Sequence, residues 1–492
     1  MTSPKYLLSA GGCLMGAVAS LTSCSNAQKP KEDVPAHPNI IYILADDLGI
    51  GDIQPYGQKL IQTPNLNRLQ EQGLRFTQAY AGTAVSAPSR CSLMTGLHTG
   101  HAFVRGNKGV DPEGQVAMPE GTFTMATMLK EQGYATGCFG KWGLGFPGSV
   151  SDPTKVGFDQ FFGYNCQTLA HDYYPDHLWN NEARIDLPQN YEQREVTYSA
   201  DTIHQQALQF IRQHADQPFF TFLSYTLPHA ELILPHDSVY DMYCRLIPEA
   251  DEVPFAPKDP NRRGAYGATA RPLASFASMV TRFDRYVDDV MQLLDSLGIA
   301  DNTVLIFTSD NGPHREGGAN PDYFDSYGPY RGIKRDLYEG GIRMPFLIRW
   351  PGHIKAAGTD CDHIIAFWDM LPTFAELAGY EKPLQTDGIS FVPTLLGQEG
   401  QQSHESLYWE FHEQNGKQAV RRGQWKGVRL QVGTDQPVFE LYDLASDIHE
   451  DHNVAAEYPD IAAELNAIID SCHVESELFD FGREKTSKGI TH

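Results

Sequence analysis

The sequence has no paired-cysteine motif and no dense set of cysteines. Its eight cysteines are widely spaced, and no Cys-x-x-Cys pair occurs. This pattern excludes a cysteine-rich zinc cluster and a small scaffold held together by disulfides. An exported protein can still form a single bridge, and the spacing does not indicate which cysteines would pair.

The sequence also lacks an excess of basic residues. Lys and Arg number 38 against 62 Asp and Glu, which gives a formal net charge of −24. Because binding to a phosphate backbone needs a basic surface, nucleic acid is excluded as a partner. Capture of long polyanions over the general surface is disfavoured as well, whereas one anionic group can bind in a local basic pocket.

Long hydrophobic runs are missing too, and the N-terminal apolar run is too short for a convincing transmembrane helix. The stretch MTSPKYLLSAGGCLMGAVASLTSC is typical of a secretory signal. Its end resembles a bacterial lipobox, so we expect a lipoprotein signal over residues 1–23, a lipid anchor on Cys24 and a polar tether over 24–37. The alternative is a plain signal peptide cut nearby. Either predicts export, with the lipoprotein in the periplasm or anchored at the outer membrane of a bacterium.

The mature chain alternates apolar strands with amphipathic helices. Residues 40–44 form a continuous apolar run, as in a strand buried on both faces, and PFFTFLSYTLPH and NTVLIFTSDNGPH repeat the pattern. Helical patterns lie between them, one capped by Thr63 with Pro64 at its first position and another spanning ASMVTRFDRYVDDVMQLLDSLG. This alternation predicts an α/β fold with a largely parallel sheet. We expect a catalytic domain over 38–400 and a small α+β subdomain over 401–492, where short strands precede a closing helix.

Four of the predicted strands end in charged or metal-binding groups. These groups are Asp46 with Asp47, Lys141, His229, and Asp310 with Asn311. Since ligands bind at the carboxyl ends of parallel strands, the sequence predicts that these groups meet at one site.

The acids and the amide among them offer only oxygen ligands. Such a set suits a hard cation, Ca²⁺ or Mg²⁺, rather than zinc. Adjacent carboxylates at one strand end would repel each other without a cation between them. Alternatively, the segments DDLG and SDNG are plain turns, because Asp, Asn and Gly favour turns.

Ser86 precedes a predicted helix in the stretch SAPSRCSLMTG. A helix N-terminus favours an anion, and Arg90 would point back toward Ser86. The alternative is a capping serine with Arg90 on the surface. Lys141 and Lys334 lie among glycines and could hold an anion, although a lone lysine is commonly a solvated group. His229 could protonate a departing alkoxide or be an ordinary loop histidine.

The stretch SAPSRCSLMTG resembles the signature of the type I sulfatases, in the alkaline-phosphatase-like superfamily. The similarity continues in PNIIYILADDLGIGD, GKWGLG, LPH, FTSDNGPH, YRGIKRDLYEGGIRMPFLIRWPG and ELYDLASDIHEDHNVA. It implies a large mixed, mostly parallel sheet sandwiched by helices, with the small C-terminal subdomain.

The resemblance also implies a nucleophile made from Ser86. In the family this residue is oxidised to formylglycine, and a serine precursor resembles bacterial members matured by a radical-type maturase. A geminal diol has a second hydroxyl that can expel sulfate, whereas an unmodified serine would remain sulfated. The implied Ca²⁺ ligands are Asp46, Asp47, Asp310, Asn311 and the modified Ser86. By the same resemblance Arg90 steadies the hydrate, Lys141 and Lys334 hold the sulfate, and His229 contacts the sulfate and the leaving oxygen.

One position departs from the family pattern. Many relatives have His where this chain has Gly143, and that histidine helps the elimination step. Either another group does this work or the step proceeds differently in this chain. His98 and His101, which follow the signature, are the candidates for such a group.

The substrate pocket is predicted from two polar loops. His171, His314 and Glu316 are candidate sugar contacts, or loop residues satisfied by local hydrogen bonds. We expect a sulfatase for O-sulfated carbohydrate, such as a galactose or N-acetylgalactosamine sulfate. The alternatives are a phosphate ester or diester hydrolase and an inactive glycan-binding lipoprotein.

Overall fold

The computed structural model describes residues 37–257 and 266–481. Its strands are β1 Asn39–Asp46, β2 Leu74–Tyr80, β3 Ala135–Lys141, β4 Gln160–Tyr164, β5 His177–Asn180, β6 Ala183–Asp186, β7 Phe219–Pro228, β8 Thr303–Ser309, β9 Arg343–Arg349, β10 Thr359–Cys361, β11 Ile365–Ala366, β12 Leu407–Phe411, β13 Lys417–Arg422, β14 Trp425–Leu430 and β15 Val438–Asp443. Its helices are α1 Pro64–Glu71, α2 Ser86–Thr95, α3 Met125–Glu131, α4 Ser199–Gln213, α5 Ser238–Leu246, α6 Pro272–Leu297, α7 Pro321–Phe324, α8 Glu339–Ile342, α9 Met370–Leu377, α10 Val392–Leu395 and α11 Pro459–Cys472.

The large sheet is mixed and mostly parallel, in the order β10-β2-β9-β8-β1-β7-β3-β4-β5-β6 with β11 paired to β2. Its centre is parallel, because β1 pairs with β7 and β8, and β3 pairs with β7. These four strands therefore end at the same edge of the sheet.

Helices cover both faces of this sheet, which explains why every residue of β1 is buried. On one face Ile41 and Ile43 pack with α4 and α6 in the main hydrophobic core. On the other face the ring of Tyr42 meets Phe374 of α9. The predicted α/β fold is confirmed.

The C-terminal part forms an antiparallel sheet in the order β12-β13-β14-β15. One face packs against α11 through Val420, Leu441 and Leu465. The other face carries Trp409, which belongs to a cluster with residues of the large domain. The predicted α+β subdomain is therefore present.

Two local expectations need correction. Helix α1 begins at Pro64 as predicted, but the side chain of Thr63 does not cap it and instead accepts a hydrogen bond from the Gln54 amide at 2.8 Å. Ser86 is the first residue of α2 rather than the residue before it.

The predicted signal peptide and Cys24 lie outside the described residues, as does all but the last residue of the tether. In the described ranges, no helix is both long and apolar enough to cross a membrane. Six cysteines in those ranges are free thiols.

Candidate active site

The carboxyl ends of β1 and β8 bring three carboxylates together. Asp46 ends β1, Asp47 follows it with a left-handed φ of 61°, and Asp310 follows β8. Carboxylate oxygens from all three lie within 4.8 Å of one another, and the side chains are buried. The Asp47 amide donates to Asp310 Oδ1 at 3.0 Å, which fixes the two strand ends relative to each other.

This cluster fits a hard cation. Burial, together with the nearby charge of Asp46, raises the pKa of Asp310 to about 7, so Arg90 and Lys141 do not fully compensate the negative charge at Asp310. Asn311 donates through Nδ2 to Asp47 Oδ1 at 2.6 Å. Its Oδ1 is buried and has no hydrogen-bond partner within residues 37–257 and 266–481. Three carboxylates and one unpartnered amide oxygen are the ligands that Ca²⁺ prefers.

Ser86 points into the same cluster from the first turn of α2. Its hydroxyl donates to Asp46 Oδ1 at 3.0 Å, and Lys141 Nζ donates to Ser86 Oγ at 3.3 Å. Lys141 Nζ also donates to Asp46 Oδ2 at 2.6 Å. Burial alone would raise the pKa of Asp46, but the charges of Lys141 and Arg90 hold that pKa well below its usual range.

Arg90 joins α2 to the strand ends. It is 1% exposed and donates from Nε and Nη2 to Asp310 Oδ2 at 3.0 and 2.9 Å. Its Nη1 donates to the Lys141 carbonyl at 2.9 Å and to the hydroxyl of Ser224 in β7. The guanidinium therefore contacts β3, β7 and the residue that follows β8, rather than Ser86 itself.

A second cation, Lys334, lies beside Asp47. Lys334 Nζ donates to Asp47 Oδ2 at 2.7 Å and to His229 Nε2 at 3.1 Å. Burial and the Lys334 charge hold the pKa of His229 well below its usual range, so the imidazole is neutral. Its Nδ1 contacts the Ala230 carbonyl, which places the proton on Nδ1 and leaves Nε2 as the acceptor.

The candidate sugar contacts lie around His229. The ring of His171 stacks on it with centroids 5.1 Å apart, and His314 stacks at 5.2 Å. The ring nitrogens of His314 are both engaged, Nε2 with the Pro228 carbonyl and Nδ1 with the Glu316 amide. Glu316 Oε1 pairs with Lys334 at 3.4 Å and Arg335 at 2.6 Å. His314 and Glu316 therefore lie beside His229 and Lys334, and they line a cavity of about 400 Å³ together with Lys334. Their role as sugar contacts stays a prediction.

The structure does not bring His98 and His101 to Ser86. They follow the opposite end of α2, whose ten residues rise by about 15 Å. His101 Nδ1 contacts Asp387 at 2.9 Å, and the His98 amide donates to the same carboxylate at 2.9 Å. The expectation that one of them stands in for a histidine at position 143 is corrected by this placement.

Gln167 occupies the space beside Gly143. Gly143 has a φ of +77°, and a Cβ there would lie 2.7 Å from Gln167 Nε2. That nitrogen is buried and has no hydrogen-bond partner among the residues described. Neither Gln167 nor Ser224 could be identified from the sequence, because each contacts residues that lie far from it in the chain.

Comparison with known proteins agrees with this geometry. The "Sulfatase" family model matches residues 38–380, and the model "N-sulphoglucosamine sulphohydrolase, C-terminal" matches residues 328–475. An N-acetylgalactosamine-6-O-sulfatase of Bacteroides thetaiotaomicron is 30% identical, with 93% of this chain and 98% of the relative covered. The N-acetylgalactosamine-6-sulfatase of Rattus norvegicus is 32% identical over 80% of this chain and 71% of the relative.

A solved structure is similar over most of the chain. Ps i-CgsB in complex with k-i-k-neocarrahexaose has a TM-score of 0.73 and 28% identity, covering 88% of this chain and 92% of that one. The family match, the relatives and the fold agree. The chain therefore belongs to the sulfatase family, whose members are sulfuric ester hydrolases.

Proposed function

We propose that this sulfatase hydrolyses an O-sulfate ester on a galactose-type or N-acetylgalactosamine-type sugar, with Ser86 as the precursor of its nucleophile. The observation that carries the proposal is the buried hydrogen bond of Ser86 Oγ to Asp46, beside Lys141. The sugar is supported by the relatives from Bacteroides thetaiotaomicron and Rattus norvegicus, both described as acting at the 6-position of N-acetylgalactosamine.

Sulfatases generally use a formylglycine and a divalent metal ion. We assign the formylglycine to Ser86, because its hydroxyl contacts both a carboxylate of the cluster and Nζ of Lys141, which no other hydroxyl does among the residues described. One hydroxyl of its hydrate attacks sulfur and displaces the sugar oxygen. Loss of a proton from the second hydroxyl then re-forms the aldehyde and breaks the C–O bond to sulfate, which leaves.

We assign the metal site to Asp46, Asp47, Asp310 and Asn311, with the modified residue 86 facing it, and Ca²⁺ as the ion. Bound there, the ion would neutralise the charge of the sulfate and polarise its S–O bonds. The unpartnered Oδ1 of Asn311 and the three clustered carboxylates support this assignment.

The remaining side chains of the site bind the sulfate, contact the leaving oxygen and position residue 86. Lys141 and Lys334 lie on opposite sides of the carboxylates, at Asp46 and Asp47, where two ammonium groups can hold sulfate oxygens. Burial disfavours the charge of Lys334, but Asp47 and Glu316 outweigh burial and raise its pKa, so this cation persists at neutral pH. His229 contacts the leaving oxygen from the Lys334 side, and Arg90 keeps residue 86 aligned through Asp310 and Asp46.

We further propose that the protein is exported, with a lipid on Cys24, and that a radical-type maturase modifies Ser86. The N-terminal sequence and the serine at position 86 support these two assignments. Labelling with a palmitate analogue, compared between the wild type and Cys24→Ala, tests the anchor.

The substrate is tested by screening the matured full chain against defined sulfated monosaccharides and short oligosaccharides, with sulfate release as the readout. Hydrolysis of matched aryl sulfate and aryl phosphate esters is measured in parallel. We expect release from 6-O-sulfated galactose or N-acetylgalactosamine units and a strong preference for the sulfate ester. Equal or faster phosphate release would contradict the proposal, as would aryl sulfate turnover without turnover of any sulfated sugar.

A further inference from the structure

The first turn of α2 takes a hydrogen-bond partner from a distant part of the chain. This helix begins at Ser86, and the first N–H groups of a helix have no carbonyl partner within it. Val85 precedes the helix, and its side chain does not cap it. Instead, the Ala87 amide donates to Oδ1 of Asn107 at 2.9 Å, across 20 positions of sequence. Asn107 therefore caps the helix that carries the nucleophile.

This hydrogen bond holds the peptide group that follows residue 86. That peptide group is planar and contains the Cα of residue 86, so fixing its N–H restricts rotation of the backbone at this Cα. The side chain of Ser86 is held separately, by Asp46 at 3.0 Å and by Lys141 at 3.3 Å. Asn107 thus constrains the main chain at the position where Asp46 and Lys141 act on the side chain.

The C-terminal subdomain holds Asn107 in turn. The Asn107 amide donates to Oε1 of Glu413 at 3.3 Å, and Glu413 lies in the turn between β12 and β13. Two residues before Asn107, the buried Arg105 pairs with Glu410 of β12 at 3.4 Å. The backbone that presents Asn107 to α2 is therefore fastened to the antiparallel sheet. Asn107 and Glu413 are both exposed, so replacing either leaves the hydrophobic core intact.

We propose that Asn107 is a positioning residue, which orients the nucleophile made from residue 86 by capping α2, and that Glu413 holds Asn107 in this place. This role rests on the proposed function, in which residue 86 supplies the nucleophile. It gives the C-terminal subdomain a part in the reaction as well as in packing. Because Asn107 acts through residue 86, its loss changes turnover rather than substrate affinity.

The test measures kcat and KM of the matured full chain on 4-nitrophenyl sulfate, with rates divided by formylglycine content. Asn107→Ala removes the acceptor and should lower kcat about tenfold while KM stays within about twofold. Asn107→Asp keeps an acceptor oxygen at the same position and should return kcat to within about threefold of the wild type. An unchanged kcat in Asn107→Ala, or no recovery in Asn107→Asp, would overturn the proposal.

Asn320→Ala is the matched control. Asn320 is also exposed, and its Oδ1 accepts from the Asp322 amide at 3.2 Å at the start of α7. The substitution removes the same kind of cap from a helix that does not carry residue 86, so kcat should not change. An equal fall of kcat in the two alanine variants would show a general effect of losing a cap and would contradict the positioning role.

Hydrogen exchange tests the cap without depending on modification of residue 86. In chains made without a maturase, the peptide that contains Ala87 should exchange its amide hydrogens faster in Asn107→Ala than in the wild type. Equal exchange would contradict the cap.

A double-mutant cycle tests the contribution of Glu413. Glu413→Ala alone should lower kcat by about threefold, and it should cause no further loss when combined with Asn107→Ala. Losses that multiply in the double variant would remove Glu413 from the proposal.

The wild type separates failure of this inference from failure of the proposed function. If the matured wild type carries formylglycine at residue 86 but hydrolyses no sulfate ester, the proposed function is wrong, and the role of Asn107 is wrong with it. If the wild type is active and Asn107→Ala is equally active, only the role of Asn107 is wrong.

Discussion

Arg90 donates two hydrogen bonds to one oxygen of Asp310, from Nε at 3.0 Å and from Nη2 at 2.9 Å. This pair fixes the helix that begins at Ser86 against the end of β8. Both side chains are buried, so each stabilises a charge that would otherwise be costly. The position of residue 86 therefore depends on an arginine four residues along the helix.

Replacing Arg90 by Lys tests that dependence. Arg90→Lys keeps the positive charge but removes the planar set of donors, so residue 86 loses its alignment. We expect kcat on an aryl sulfate to fall by about 100-fold, because small misplacements of a reacting group are costly. Steady-state kinetics on protein with equal formylglycine content gives the comparison. A kcat equal to that of the wild type would show that Arg90 does not position the nucleophile.

The metal assignment predicts a specific loss at Asn311. Asn311→Ala removes the unpartnered Oδ1 and should weaken Ca²⁺ binding by at least about tenfold, since even supporting groups of metal sites contribute that much. Titration calorimetry on metal-depleted protein measures the affinity. Asn302→Ala is the matched control, because Asn302 is exposed and lies just before the start of the same strand. Unchanged affinity in Asn311→Ala would contradict the assignment.

The placement of His98 and His101 predicts that they are structural. Each contacts Asp387, so His101→Ala should lower the free energy of unfolding by about 1 kcal/mol. Turnover of the matured variant should not change, because the pair follows the far end of α2. Sulfate release and thermal unfolding are measured on the same samples. A slower release of sulfate by His101→Ala, with formylglycine content unchanged, would show that His101 takes part in the reaction.

A buried carboxylate links stability to pH. Burial favours the neutral form of Glu410, but hydrogen bonds from His412 and His473 and the Arg105 charge lower its pKa from 4.5 to about 2. The folded-state pKa is depressed, so the stabilisation is present above pH 4.5 and is lost as pH falls toward 2. At pH 7 it amounts to about 3 kcal/mol.

Denaturation of Glu410→Gln in urea at several pH values tests this linkage. The variant should unfold at lower denaturant at pH 7, and its stability should depend less on pH between 5 and 3 than that of the wild type. Glu457→Gln, at an exposed position, should behave like the wild type. Parallel pH profiles for the Glu410 variant and the wild type would rule out the linkage.

Much of the fold was predictable because its strands are buried on both faces. The uninterrupted apolar residues of β1 and β8 indicated a parallel sheet, and the polar residues at their ends indicated the site. That prediction needed no knowledge of the strand order, since all parallel strands present their carboxyl ends at one edge.

Contacts made by loops across long sequence separations could not be predicted. Gln167 lies beside Gly143 because β3 and β4 are neighbours, and Glu231 accepts hydrogen bonds from the amides of Tyr173 and Gly267, which lie far from it in the chain. The opposite error was made for His98, which was expected near Ser86 because the two residues are close in the chain. Helix α2 lies between them and places them at opposite ends.

The most direct test of the account measures sulfate release by protein co-expressed with a maturase, for the wild type and Ser86→Ala. The mass of the peptide that carries residue 86 is recorded for both. We predict that the wild-type peptide has lost two hydrogens and that sulfate is released, whereas Ser86→Ala folds but releases none. Sulfate release by Ser86→Ala at the wild-type rate would contradict the claim that this side chain is the source of the nucleophile.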